Sequence, residues 1–366
     1  MASQVESAAM RRAIQLATSA LGTTNPNPAV GAVVLDDHDE TVAEGATSAA
    51  GGPHAEVVAL AAAGERAAGG TLVVTLEPCR HHGRTGPCVD AIIAAGVRRV
   101  VFAVGDPTAA AAGGGEVLRA AGVDVAAGEL APDATHDLRP WLTAVRRRRP
   151  YVTWKYAATL DGRTAAADGT SRWITGPQAR ADVHRERAYA DAVVVGIRTV
   201  LADDTVLTVR DWPTQRQPLR VVVDGAARTP PSARILDDSA PTLIAVGEDA
   251  PDGRVETLRG AGAEVVRLPR REARVDLGAL LAALHEREAL IVLVEGGMTL
   301  AASFIRERLV DRVVGYHAPV LLGAGPPVLG DVGIDTLAAA QRLWVESVTP
   351  VGDDVRLVAL LGREER

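Results

Sequence analysis

Pro53-His54-Ala55-Glu56, then Thr75-Leu76-Glu77-Pro78-Cys79, then Arg80-His81-His82-Gly83-Arg84-Thr85-Gly86-Pro87-Cys88 is the stretch that decides how this chain is read. The chain has two cysteines, and both lie here. One histidine and two cysteines make the protein ligand set of a catalytic zinc site, which keeps a fourth position for water. His54, Cys79 and Cys88 are therefore the candidate metal ligands. Glu56 follows His54 closely and stands beside the metal rather than on it. A carboxylate in that place carries protons between water and a leaving group, so Glu56 is the candidate catalytic residue. Two inert buried cysteines would be the bland alternative. It fits poorly, because both sit among Pro, Gly, His and Arg rather than in an apolar run. A purely structural zinc would want four protein ligands, and His81 or His82 would have to supply the fourth.

Outward from this stretch the pattern alternates between strand and helix. Residues 8–21 place Met10, Ile14, Ala17 and Leu21 on one helical face. Asn25-Pro26-Asn27-Pro28 stops that helix. Residues 29–35 are apolar and β-branched and predict a strand, with a turn at Asp36-Asp37-His38-Asp39. A short helix is expected over 56–63, a buried strand over 71–76, a helix over 88–95 and a strand over 100–104. Such alternation predicts parallel strands with helices packed on them, and ligands in such sheets gather at the strands' carboxyl ends. The candidate zinc ligands fall there. Gly113-Gly114-Gly115 reads as a flexible loop, and Arg146-Arg147-Arg148-Arg149-Pro150 as a solvated linker. Beyond it the pattern restarts, with strands expected over 151–157, 192–195, 219–224, 242–246 and 290–294 and a helix over 181–188. Glu295-Gly296-Gly297 leads into a helix from about Thr299, an arrangement able to cradle a phosphate.

With 366 residues the chain is long enough for two or three domains. Hydrophobic residues at 47% and charged residues at 23% are ordinary for a globular protein. Aromatics are only 3%, so the core must rest on Ala, Val and Leu. A formal net charge of -7 argues against general nucleic-acid binding. Two cysteines assigned to metal leave no disulfide, which fits a reducing compartment. No signal peptide or long apolar span is expected.

H-x-E followed by P-C-x-x-C is the signature of zinc deaminases, here with a longer interval between the cysteines. Several further runs stand in fixed order. They are Thr24-Asn25-Pro26-Asn27-Pro28-Ala29-Val30-Gly31, Lys155-Tyr156-Ala157-Ala158-Thr159-Leu160-Asp161-Gly162-Arg163 and Ser171-Arg172-Trp173-Ile174-Thr175-Gly176. Thr199-Val200-Leu201-Ala202-Asp203-Asp204, Leu207-Thr208-Val209-Arg210 and Val294-Glu295-Gly296-Gly297 follow. Together with the zinc stretch, they resemble the bifunctional riboflavin-biosynthesis deaminase/reductase family from end to end.

The resemblance implies an α/β chain with a cytidine-deaminase-like domain over residues 1–149 and a dihydrofolate-reductase-like domain over 150–366. It implies zinc-dependent hydrolytic deamination of 2,5-diamino-6-(5-phosphoribosylamino)pyrimidin-4-one, then NADPH reduction of the ribosyl to the ribityl side chain. Asn27, His81 and Arg84 match deaminase substrate positions. Ala157, Trp173, Thr199, Asp203, Gly297, Met298 and Thr299 match positions near the cofactor. Ser171, Arg187, Leu207, Arg210 and Glu295 match positions that contact the ribosyl phosphate. The implied partner is a small phosphorylated aminopyrimidine, with no nucleic acid and no membrane, in a cytoplasmic homo-oligomer joined through the reductase domain. Taken singly, Arg187 and Arg210 read as surface arginines, Trp173 as core, and Asp203-Asp204 as a cap or turn. Thr47 stands where the family usually has a histidine, Thr108 where it has asparagine, and Thr205 where it has proline. The first two departures suggest a second reading: a diverged copy of the same architecture that takes a related aminopyrimidine in a specialised pathway.

Overall fold

A computed structural model gives the fold over residues 2–83 and 86–362. The chain divides into two compact units, Met1–Arg148 and Arg149–Arg366. In the first, α1 (Gln4–Ala20), β1 (Gly31–Leu35), β2 (Thr41–Ala46), α2 (Ala55–Ala63) and β3 (Thr71–Leu76) are followed by α3 (Cys88–Ala94), β4 (Arg99–Val104), α4 (Gly114–Ala120), β5 (Asp124–Ala127) and α5 (Ala131–Arg147). The sheet order is β2-β1-β3-β4-β5. β1 pairs antiparallel with β2 and β3, while β3, β4 and β5 run parallel.

The inner strands are buried at nearly every position and mostly apolar because helices cover both faces. Ala32, Val34, Leu72, Val74, Val100 and Phe102 pack with Ala59, Leu60, Ile92 and Leu118 on one side. Val33, Leu35, Val73 and Val101 pack with Met10, Ala13 and Ala134 on the other. Helix α1 starts at a capping box, with Ser3 Oγ accepting from the Glu6 amide at 3.1 Å and Glu6 Oε2 accepting from the Ser3 amide at 2.6 Å. It lies so close to β1 that a Cβ on Gly31 would stand 1.9 Å from the Ala13 carbonyl oxygen.

The second unit runs β6 (Tyr151–Thr159), α6 (Pro177–Tyr189), β7 (Ala192–Gly196), α7 (Ile197–Asp203), β8 (Leu219–Val223), β9 (Thr242–Gly247), α8 (Asp252–Gly260) and β10 (Glu264–Leu268). A small hairpin follows, β11 (Arg270–Arg271) with β12 (Arg274–Val275). Then come α9 (Leu277–Glu286), β13 (Ile291–Val294), α10 (Met298–Arg306), β14 (Arg312–Ala318), β15 (Trp344–Val351) and β16 (Asp354–Leu360). The sheet order is β10-β9-β8-β7-β13-β6-β14-β16-β15. It is parallel from β10 through β14 and antiparallel across β16 and β15. Val193, Val222 and Ile244 bury one face and Val194, Val221 and Leu243 the other, so the alternate side chains of each strand feed two separate cores.

One expectation fails and another holds only in part. Gly113-Gly114-Gly115 is no flexible loop: Gly114 and Gly115 are buried and open α4, and Gly113 sits in the left-handed region at φ 89°. The Gly115 amide donates to Glu77 Oε1 at 3.0 Å, and Gly114 lies against Pro78. The arginine run is solvated through Arg148 and holds the boundary between the units, as expected, but it is not loop throughout. Arg146 and Arg147 form the last turn of α5, where cations suit the helix's carboxyl end. Arg149 forks onto Asp311 with two contacts of 2.7 Å.

A Cβ on Gly114 would stand 1.7 Å from the Pro78 carbonyl oxygen, one residue before Cys79. Gly114→Ala should therefore destabilise the first unit by about 1–3 kcal/mol, the usual cost of overpacking. Chemical denaturation should read this as an earlier transition for that unit, and an unmoved midpoint would mean that the backbone at Pro78 yields freely.

Candidate active sites

In the first unit three elements deliver the ligands. β3 ends at Leu76, and Cys79 follows it. His54 is the residue that begins α2, and its side chain caps nothing. Cys88 is the first residue of α3. His54 Nδ1 lies 3.2 Å from Cys88 Sγ and 3.6 Å from Cys79 Sγ, and the sulfurs are 3.5 Å apart. A tetrahedral zinc with Zn–S near 2.3 Å and Zn–N near 2.0 Å requires such edges of about 3.5–3.8 Å, so the donor set fits that ion. The Cys88 amide donates to Cys79 Sγ at 3.4 Å, supporting a thiolate there. Facing the Cys88 thiol and His54, Cys79 is drawn down to about 4. Cys88 is pushed up by the charged Cys79 and by burial. A dication between them would hold both as thiolates. Among the described residues, neither His81 nor His82 joins the cluster.

Glu56 is buried in the first turn of α2. Burial pushes its carboxyl up, against the pull of its own backbone amide and of His54. A carboxyl whose burial opposes its charge takes up a proton more readily than an exposed one, which suits a proton carrier beside a metal site. Glu77 organises the surrounding loops: its second oxygen accepts from the Asp106 amide at 3.2 Å. Asn27 closes the bend before β1, where Thr24 Oγ1 donates to its carbonyl at 2.9 Å. Trp141 Nε1 pins the same bend through the Pro26 carbonyl at 3.2 Å. His81 is half-buried, and its Nδ1 is buried without a hydrogen bond. Arg84 lies outside the described residues.

The two threonines have other work. The Val30 amide donates to Thr47 Oγ1 at 3.2 Å, and the Thr47 amide returns a 2.9 Å bond to the Val30 carbonyl. Thr108 Oγ1 donates to Asp106 Oδ1 at 2.6 Å, closing a local turn. Both hydroxyls bond within the framework of this unit.

The second unit carries two adjoining clefts at the carboxyl ends of its central strands. The larger, about 730 Å³, is lined by Lys155, Ala157, Ser171, Trp173, Arg187 and Thr199 and by Asp203, Thr205, Leu207, Arg210 and Glu295. The other, about 640 Å³, includes Gly297, Met298 and Thr299 and shares Thr164, Thr199 and Asp203 with the first. Gly297 begins α10 with no side chain over the first amides, an arrangement that suits a dinucleotide's phosphates. Trp173 is 70% exposed within the cleft, so it is not core. Arg180 lies 4.6 Å from its ring centre. Leu207 is buried at φ 58°, a costly conformation for leucine that marks a constrained segment.

Glu295 is the electrostatic centre of the larger cleft. Arg187 Nε and Nη2 donate to its oxygens at 2.5 and 2.9 Å, and Lys155 Nζ lies 3.8 Å away. Burial works to raise the carboxyl, yet Arg187 and Lys155 hold it down at about 2. Arg187 also donates to the Thr208 carbonyl at 3.1 Å, so three of its five N–H donors are held by the protein. Arg210 is freer, with one 3.4 Å contact to Thr208 Oγ1. Burial lowers the Lys155 ammonium, and Glu295 opposes it.

Lys155 was not singled out as a site residue by motif. Composition carried the signal: the chain has 39 Lys and Arg, and Lys155 is its only lysine. An arginine cannot give up its proton near neutral pH, whereas a lysine in a cleft can.

Comparison with known proteins agrees with this geometry. A family model for the cytidine and deoxycytidylate deaminase zinc-binding region matches residues 3–104, and one for the RibD C-terminal domain matches residues 150–357. The chain is 45% identical over 359 residues to riboflavin biosynthesis protein RibD of Mycobacterium tuberculosis (strain ATCC 25618 / H37Rv), covering 97% of each. It is 42% identical to RibD of Escherichia coli (strain K12), over 95% of this chain and 97% of that one. The solved structure of Acinetobacter baumannii RibD superposes with a TM-score of 0.87 at 37% identity, covering 98% of this chain and 99% of that one.

The purified protein should carry about one zinc per chain. Cys79→Ser should lose it, as measured by elemental analysis. Full zinc content in a chain lacking both Cys79 and Cys88 would place the metal elsewhere.

Proposed function

The chain belongs to the RibD family of riboflavin-biosynthesis proteins, and on that premise we propose a bifunctional enzyme for a phosphorylated aminopyrimidine. Residues 1–149 remove the 2-amino group of 2,5-diamino-6-(5-phosphoribosylamino)pyrimidin-4-one as ammonia. Residues 150–366 then reduce the ribosyl group to ribityl with NADPH. One observation carries the reading: a three-ligand metal set beside a buried carboxyl, and two adjoining clefts, the larger lined by a half-buried lysine, stand on the same chain. The near full-length RibD relatives favour this pathway over a diverged copy with another substrate.

In deamination the oxygen of water forms a bond to C2, the C2–amine bond breaks, and ammonia leaves with a proton that came from water. Zinc, when bound, supplies the Lewis acid that makes water a nucleophile at neutral pH. His54, Cys79 and Cys88 hold it. Glu56 accepts the proton of water and hands it to the departing nitrogen. Asn27, His81 and Arg84 shape the pocket for the pyrimidine.

Reduction takes up one hydride at C1′ of the sugar and one proton. NADPH, when bound, supplies the hydride. Lys155 supplies the proton, and Glu295 keeps it charged until then. Arg187 fixes Glu295 in place, and Arg210 takes the substrate phosphate as a charge-assisted fork. Ser171 and Leu207 complete the sugar site. Ala157, Trp173, Thr199 and Asp203 would hold the nicotinamide end of the cofactor, and Gly297, Met298 and Thr299 its diphosphate.

We place the enzyme in the cytoplasm, where two metal-binding thiols stay reduced. No helix among the described residues is long and apolar enough to cross a membrane. We also propose a homo-oligomer through the reductase domain. Its edge strand β15 exposes Trp344, Val345 and Val348, and an open edge of that kind invites pairing.

Two variants should separate the activities. Glu56→Gln should stop ammonia release while the chain still consumes NADPH on already deaminated substrate. Lys155→Arg should do the reverse. Ammonia release at the parental rate in the first would remove Glu56 from the chemistry, and undiminished NADPH consumption in the second would remove Lys155. Sedimentation should find the parent as a dimer or larger and Val348→Lys as a smaller species; a monomeric parent would end the oligomer proposal.

A further inference from the structure

The backbone that carries Arg210 does not hold its own shape. Leu207 opens that segment at φ 58°, a conformation that leucine adopts where contacts impose it. Three side chains impose it here. Arg187 Nη1 donates to the Thr208 carbonyl at 3.1 Å. Gln217 brackets Val209, its Oε1 accepting from the amide at 2.7 Å and its Nε2 donating to the carbonyl at 3.0 Å. The third is His184 of α6, whose Nδ1 accepts from the Arg210 amide at 3.3 Å. His184 is buried and lines the larger cleft, yet no step of the proposed reaction uses it.

That last contact fixes a protonation state. A backbone amide only donates, so Nδ1 must be bare and the ring's single proton sits on Nε2. Nε2 faces the Asp211 carboxylate at 3.5 Å, which suits a donor there. A second proton would set an N–H against the Arg210 N–H. The charged groups that face the ring are Arg187 on its own helix, Arg210 and Asp211 on the segment after α7, and Glu295 just past β13. Arg180 and Lys155 line the same cleft. Burial, then Arg187 and Arg210, lower the imidazole from its ordinary value, while Asp211 and Glu295 oppose them. Gln217 does not titrate, and Arg187 keeps its proton at any working pH. Of the three side chains that hold the segment, only His184 lets go as the pH falls below neutral.

Resting on the reading that Arg210 takes the substrate phosphate, we propose that neutral His184 is a positioning residue for Arg210 and that its protonation loosens the hold on the phosphate monoester. The Arg210 guanidinium is tied only loosely, by the 3.4 Å contact to Thr208 Oγ1, so its direction follows the backbone beneath it. The reductase site therefore binds its substrate best above the pH at which His184 titrates. Charge alone predicts the reverse, since an imidazolium adds a cation beside the phosphate. Position and charge give opposite signs, which makes them separable.

The test follows NADPH consumption by the full-length chain on deaminated substrate across roughly pH 5.5 to 8.5, a window spanning the ordinary histidine value. The parent is compared with His184→Asn and His184→Ala. Asparagine keeps a carboxamide oxygen near the place of Nδ1 and cannot titrate. The parent's KM should rise as the pH falls through roughly 6.5 and below. The rise should be shallower in His184→Asn, where the phosphate's own titration remains. His184→Ala lacks the acceptor and should raise KM roughly three- to tenfold at the alkaline end, the weight of one hydrogen bond, with a smaller effect on kcat. His184→Asn should recover most of that loss. If the alanine chain fails to fold, the asparagine profile decides alone. Parallel KM profiles in the parent and His184→Asn overturn the inference and leave the reductase reading standing. A parental KM that falls relative to His184→Asn on acidification also overturns it, since His184 then acts by its charge. An Arg210→Ala chain with the parent's KM at every pH removes Arg210 from the phosphate, and the inference with it.

Discussion

Strands covered by helices on both faces leave polar chemistry one place to stand, the ends where the backbone ladder stops. Almost everything reactive in this chain obeys that constraint. Cys79 follows β3, and Glu295 follows β13. The helices bring the rest to the same rims: His54 and Cys88 at the starts of α2 and α3, Gly297 at the start of α10. The apolar strand interiors supply the rigidity. A Cβ at Gly31 or Gly114 would collide with backbone at under 2 Å, so helices and strands in the first unit have no slack to shift the ligands apart.

Lys155 breaks the pattern, since it lies within β6 rather than past its end. A buried ammonium is unfavourable unless paired, and the pairing here involves three groups rather than two. Glu295 lies between Lys155 and Arg187, and the bidentate contact from Arg187 fixes where the carboxylate sits. Removing Glu295 would leave two buried cations together, which is why a buried pair of this kind is far costlier to break than to replace whole.

Much of this was legible in the sequence, and the failures have physical causes. The strand at Thr71–Leu76 was readable to the residue because a strand buried on both faces is a continuous apolar run bounded by polar ends. The metal set was readable because cysteine is rare in this chain and histidine nearly so. Gly113-Gly114-Gly115 misled because flexibility and close approach both call for glycine, and only the Pro78 carbonyl distinguishes them. The arginine run is exposed through Arg148, as its charge suggests; what the charge hid is that Arg146 and Arg147 continue α5 and that Arg149 is held by Asp311. Trp173 looked like core by type, yet its ring is held at the cleft by arginines rather than by apolar packing. The antiparallel strands β15 and β16 went unread because their residues alternate weakly and face water on one side.

A single lysine also gives this protein an unusual handle. An endoprotease that cuts after lysine has one target bond in the whole chain, between Lys155 and Tyr156. That bond sits in β6, where both of its residues pair with β14, just past the last residue paired with β13, so it is out of reach while the sheet is closed. Cleavage therefore reports the opening of the middle of the second sheet. The cut also falls just past Arg149, where the second unit begins, so its two products are nearly the separate units. Arginine-directed cleavage would shred the same chain into dozens of fragments.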